Sequence, residues 1–216
     1  MLVTEVKNAL PGGSPLLRNE PVQARSSARL AGLLDAAAAV IDDIGFERLT
    51  TAMVAERAGA SIGTVYRYFP DRIAVVEALA MRCTQRLGSR FLDTVDGAAV
   101  DGWEDAVNAL IDLTVEMYRT EPGFRAIRFG DVTESAEGLE GDRMSQLGGG
   151  VAGIFRDRFD FPDTERMTRA WVALTEGGHA VLARAHRVPG SPDEGLVEEF
   201  RAMALAYLRA LLNTES

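Results

Sequence analysis

Two short helical runs separated by one glycine dominate the reading of this chain. Residues 51–58 carry Val54, Ala55 and Ala58 at helical spacing, and residues 61–69 carry Val65 and Phe69. Gly59 stands between them, where the chain reverses within a few residues and a β-carbon would obstruct the turn. Thr50 or Thr51 offers a hydroxyl to the free amides that open the first run, and Ser61 is placed to do the same for the second. Ala55 is small where the two helices cross, and Val65 packs the second helix back onto the first. Pro70 stops the second run. The unit reads as a helix-turn-helix, a form that lays its second helix in a major groove and its first across the backbone.

The surroundings read as helical throughout. Leu30, Leu33, Leu34, Ala37, Ile41 and Ile44 share one face of a helix over 27–44, which Gly45 ends; Phe46 and Leu49 follow as short anchors. After Asp71, the expected cap, a long helix runs to about Val95 with Ile73, Val76, Leu79, Ala80, Cys83, Leu87 and Phe91 on its apolar face. Beyond it, Trp103, Val107, Leu110, Ile111, Thr114 and Met117 make a stripe that Glu121-Pro122-Gly123 interrupts. Phe124, Ile127 and Phe129 form a short apolar helix or turn. Residues 131–146 are only weakly periodic. Helical reading resumes at Val151, and two last helices span 163–187 and 193–213. The run Gly148-Gly149-Gly150 fits a kink, a close helix contact or a mobile pocket wall. No β alternation competes, so the expected fold is all-α. It divides into an arm (1–26), a three-helix DNA-binding head (27–72), a connecting helix (73–97) and a larger helical body (98–216).

Charge separates head from body. The net charge is -9, yet residues 1–90 hold 11 Lys/Arg against 9 Asp/Glu, whereas residues 91–216 hold 12 against 23. A near-neutral head on an acidic body remains able to meet phosphates, because charges far apart are screened. In the head, Thr51 and Ser61 are placed to offer hydroxyls and free amides to phosphate, and Tyr68 and Arg72 to approach the backbone. Thr64, Tyr66 and Arg67 are placed to reach base edges or methyl groups. Arg18, Arg25 and Arg29 add positive charge on the arm and just after it.

Other classes find little support. The single cysteine, Cys83, excludes an intrachain disulfide and a multi-cysteine metal cluster, and with only His179 and His186 no metal centre and no cofactor are expected. The glycine run lacks the Gly-Lys-Ser/Thr sequel of a phosphate loop. Asp42-Asp43 read as surface charge. No apolar run approaches the roughly 20 residues that a bilayer needs, and residues 1–17 lack signal-peptide order, so no membrane partner and a cytoplasmic location are expected. A helical adaptor without DNA binding is the alternative reading, followed by a small-molecule enzyme.

Residues 27–81 resemble the TetR family of bacterial transcriptional regulators. The specific portion is Leu49-Thr50-Thr51, Val54-Ala55, Ala58-Gly59 and Gly63-Thr64-Val65-Tyr66-Arg67-Tyr68-Phe69-Pro70-Asp71-Arg72. The resemblance implies that Thr51 caps its helix and touches phosphate, that Tyr66 meets backbone or base, and that Tyr68 meets phosphate. Arg72 stands where Lys is more usual, and Ile62 departs from the polar residue often found there, which argues against a base hydrogen bond from residue 62 and leaves methyl contact open to it. The resemblance also implies a homodimer on a two-fold operator, a C-terminal effector domain, and repression relieved by a small molecule. Candidates for an effector pocket are then Trp103, Met117, Phe124, Phe129, Phe155, Trp171 and His179, each of which has core packing as its plain alternative. The family's interface is usually a four-helix bundle of the last two helices. That points to Ala170, Ala173, Leu174, Gly177, Val181, Phe200, Ala204, Tyr207 and Leu211. His186 reads as a last-turn residue favoured by the helix dipole.

Overall fold

The computed structural model describes residues 24–97, 100–124, 140–188 and 190–215, and among them eight α-helices and no strand. They are α1 (Ala24–Ile44), α2 (Thr51–Arg57), α3 (Ile62–Tyr68), α4 (Arg72–Val95), α5 (Trp103–Thr120), α6 (Glu140–Phe159), α7 (Glu165–Ala185) and α8 (Glu194–Glu215). A one-turn 3-10 helix, Phe46–Arg48, lies between α1 and α2. Helix α1 starts at Ala24, inside the segment read as an arm; the rest of that arm and Phe129 lie outside the described residues. No described helix is long and apolar enough to cross a membrane.

The described residues form two compact units. The head takes α1 to α3, α4 as far as Arg86, and the turn 120–124. Helix α4 thus contributes residues to both units. At 24 residues it is about 36 Å long. The head's core is Leu33, Leu34, Ala37, Ile41, Leu49, Val54, Val65, Phe69, Val76, Leu79 and Cys83, all buried. Burial of Cys83 pushes its thiol up to about 11. The turn after α5 docks within the same unit: the Gly123 amide donates to Asp42 Oδ1 at 2.8 Å, and Arg86 pairs with Glu121 at 2.7 Å. Asp42 is thus more than surface charge.

The body comprises the rest of α4 and helices α5 to α8. Phe155 is its centre, with ring centroids at 4.2 Å from Trp171, 5.3 Å from Phe161, 5.4 Å from Phe159 and 6.1 Å from Phe91. The three glycines lie inside α6, which continues through them without a break. A β-carbon on Gly148 would lie 2.6 Å from Val172 Cα, so this glycine is where α6 and α7 approach. Of the three readings open for the run, the close helix contact is the one found. On α8, Arg209 pairs with Glu104 and Arg201 with Asp112, which orders α8 antiparallel to α5. The Arg209 guanidinium holds the Glu104 carboxyl below its ordinary range.

Candidate nucleic-acid interface

The helix pair is built by local chemistry. Thr50, not Thr51, caps α2, its hydroxyl accepting from the Met53 amide at 3.2 Å. At the other end the Gly59 amide donates to the Glu56 carbonyl (3.1 Å) and the Ala60 amide to the Ala55 carbonyl (2.9 Å). This pair of bonds is a Schellman closure, and it needs a left-handed residue at Gly59, whose φ is +56°. Ser61 then caps α3, accepting from the Thr64 amide at 3.1 Å. Asp71 caps α4 through the Ala74 amide at 2.9 Å. The three caps set where α2, α3 and α4 begin, and Gly59 closes α2 and opens the turn into α3.

The predicted contact residues divide into an outer and an inner set. Tyr66 is 44% exposed, and its hydroxyl accepts a hydrogen bond from Thr51 Oγ1 at 3.3 Å, which ties the start of α2 to the outer face of α3. Ser61 and Arg67 are exposed, and Thr64 is half-buried with its hydroxyl 2.9 Å from that of Ser61. Exposed Arg72 donates from Nη1 to the Glu47 carbonyl at 2.6 Å, so its charge is held at a fixed place beside α4's first turn.

Tyr68 is the exception. It is 2% exposed, and its hydroxyl lies 3.0 Å from Ser26 Oγ. The Arg67 guanidinium sits over its ring at 5.1 Å. The signal was available in the spacing: Tyr68 follows Val65 by three positions, so both occupy the inner face, whereas Tyr66 points elsewhere. The expected phosphate contact from Tyr68 therefore gives way to a role inside the head, joining α3 to α1 and steadying Arg67. Met53 and Ile62, exposed at 38% and 43%, stand among the outward residues; of the two, the sequence motif points only to Ile62.

Among the effector candidates, Trp103, Phe155 and Trp171 share the aromatic cluster, Trp103 reaching it through Phe161 at 5.7 Å. His179 is placed beside Tyr118, Nδ1 to hydroxyl at 3.1 Å, and Met117 is buried on the same helix. Phe124 belongs to the head unit, apart from the others. His186 is buried at the end of α7; its ring stacks on Tyr118 at 5.1 Å and its Nδ1 meets the Leu182 carbonyl at 2.9 Å. Among the dimer candidates, Ala170, Phe200, Ala204 and Leu211 are buried within the single chain. Phe200 lies against Gly178 of α7, where the two helices meet. Ala173 and Tyr207 stay exposed, while Leu174, Gly177 and Val181 are half-buried.

This architecture is that of the helix-turn-helix regulators. Residues 33–79 match the model of the bacterial regulatory proteins of the tetR family, and residues 101–212 match the tetracyclin repressor-like C-terminal domain. The chain belongs to the TetR family of transcriptional regulators, a family of regulators rather than of enzymes. It is 31% identical over 109 residues to the transcriptional repressor KstR of Rhodococcus jostii, covering 49% of this chain and 50% of that one. It is 29% identical over 92 residues to the regulator BetI of Escherichia coli, covering 43% and 47%. The chain thus spans about half the length of these curated relatives. A TetR-family regulator from Streptomyces coelicolor superposes with a TM-score of 0.73 at 29% identity, covering 84% of this chain and 98% of that one. One from Rhodococcus sp. RHA1 shares the fold at a TM-score of 0.63 and 20% identity, covering 85% and 97%.

Proposed function

We propose that this protein is a homodimeric repressor that binds a two-fold symmetric operator and leaves it when a small molecule enters the body. The observation that carries the DNA-binding part is the outward face of α3, where Ser61, Tyr66 and Arg67 stand exposed on a helix whose start is capped by Ser61. Thr51 and Arg72 flank it as phosphate contacts, and Thr64, Tyr66 and Arg67 reach the bases. Two copies need their α3 helices about 34–36 Å apart to enter successive major grooves.

The effector reading rests on the body. Trp171 Nε1 and His186 Nε2 are buried there with no hydrogen-bond partner, and buried polar atoms ordinarily have one. Trp103, Met117, Phe155 and His179 supply surrounding surface, and the ligand acts by binding more tightly to a dimer geometry that misplaces the heads. The dimer reading rests on an outward apolar stripe of α8, where Met203 is 54% and Tyr207 42% exposed.

The test is selection of bound fragments from a genomic duplex pool with the full chain. The expected result is a palindromic consensus whose binding constant falls steeply with salt, since phosphate contacts release counterions. Enrichment of no duplex, with reproducible capture of one protein partner, would replace this reading with that of a helical adaptor.

A further inference from the structure

We infer that Ile62, beside the bare backbone of Gly63, reads thymine methyl groups in the operator, so that part of its sequence preference is apolar. This rests on the DNA-binding reading above and adds to it a specificity residue and the chemical group that it recognises.

The polar groups on the outer face of α3 already have partners inside the head. The Tyr66 hydroxyl accepts from Thr51, the Thr64 hydroxyl meets Ser61, and Arg67 meets Tyr68. A base edge that engages them competes with bonds already made. Ile62 has no such competitor. It is the first residue of α3, it is 43% exposed, and its side chain carries no polar atom. A large aliphatic group left in water gains by covering another apolar group. In a major groove the thymine 5-methyl is the one apolar group that a base presents. In helix-turn-helix docking the early residues of the second helix are those that meet base edges, and this is where Ile62 stands. Tyr66 follows it by four positions, so the two share a face, and the tyrosine ring extends the same apolar surface.

Gly63 supports the assignment independently. Its backbone is helical, and a β-carbon there would meet only Ser61 Oγ, at 3.8 Å. Neither backbone nor packing within the chain requires glycine at this place, although glycine weakens a helix. A close approach by something outside the chain does require it. A glycine beside Ile62 lets this end of α3 sit deep enough for the isoleucine to reach a methyl group.

The experiment uses the full chain and the operator obtained by duplex selection. Each thymine of the half-site is replaced in turn by deoxyuridine, which removes the 5-methyl and leaves the pairing edge intact. Affinities are measured for the wild type and for Ile62→Ala, with helicity and thermal midpoint checking that the exposed substitution leaves the fold intact; Ile62→Val serves as the conservative control. At one thymine per half-site, loss of the methyl should weaken the wild type about fourfold per methyl, the weight of one buried carbon group. The same swap should leave Ile62→Ala nearly unaffected, with Ile62→Val in between. The inference is overturned if wild type and Ile62→Ala respond alike to every swap, or if the selected half-site holds no thymine. A wild type that enriches no duplex overturns the DNA-binding reading itself, which is a different result from equal responses on a bound operator.

Discussion

Gly63 combines a helical backbone with open space where its side chain would be. Alanine at such a site costs nothing in packing and removes the entropy penalty of glycine, so Gly63→Ala should stabilise the fold by about 0.5–1 kcal/mol. If the bare backbone serves approach to a duplex, the same variant should bind operator more weakly; thermal melts and operator titrations read the two effects separately. Cys83 gives a second prediction, in the opposite direction of pH. Its folded thiol is raised by burial to about 11, above the ordinary thiol value of 9.0. The folded state therefore holds the proton after the unfolded state has lost it, and stability falls as pH rises from about 9 to 11. The difference corresponds to about 2–3 kcal/mol at most. Denaturant melts across that window should show wild type losing stability relative to Cys83→Ala. Parallel curves would mean that the thiol ionises normally. Local chemistry of this kind was legible in the sequence where it involves neighbours: Ser61 as a cap, Gly59 as a turn, Asp71 before α4. At Tyr68 two signals disagree: the motif suggests a contact, whereas the spacing from Val65 places the side chain inside. Its partner Ser26 lies 42 positions away, where no local pattern links them.

Helix α6 shows what helical periodicity misses. Three consecutive glycines lower helix propensity by about 1 kcal/mol each relative to alanine, so a reading from propensity halts there. The helix runs from Glu140 to Phe159 all the same. Packing on α7 outweighs the local cost, and Gly148 is the contact point. Gly148→Ala would drive a β-carbon to 2.6 Å from the Val172 backbone, and the two helices must part. The expected loss is about 1–3 kcal/mol or more. Gly149, one position on, has nothing within 4 Å of its would-be β-carbon, and Gly149→Ala should be neutral or stabilising. Chemical denaturation of the two variants checks the contrast. If both behave alike, the run matters for something other than helix contact. The existence and kind of the long helices were readable from their stripes. Which glycine touches a neighbour was not, since that depends on the rotation of α6 against α7, which no local pattern records.

Assembly decides whether one head or two meet DNA. The dimer contact is proposed on the last two helices, and part of their apolar stripes is already used within the chain. Phe200, Ala204, Leu208 and Leu211 are buried within the chain, so they join α8 to its own neighbours. What remains outward on α8 is Met203, Ala206, Tyr207 and Ala210, spaced by three and four, with Ala173 exposed on α7. A four-helix contact between copies would bring this stripe against its symmetry mate. Glutamates at Met203 and Tyr207 would then place four like charges in one interface, on a body that already carries excess acid. Both side chains are exposed, so the double variant Met203→Glu/Tyr207→Glu should keep its helicity. It should sediment as a monomer, whereas the proposed dimer predicts twice that mass for the wild type. Each monomer then offers a single head, and operator affinity should fall by about 10²–10⁴, the gain that linking two binding events provides. Ala173→Trp attacks the same contact from α7 by bulk instead of charge and should shift the equilibrium in the same direction. Charge repulsion weakens with added salt whereas steric overlap does not. Raising the salt should therefore partly restore the dimer of the glutamate variant and leave Ala173→Trp unchanged. A glutamate variant that sediments like the wild type at low salt would place the dimer contact on another face of the body.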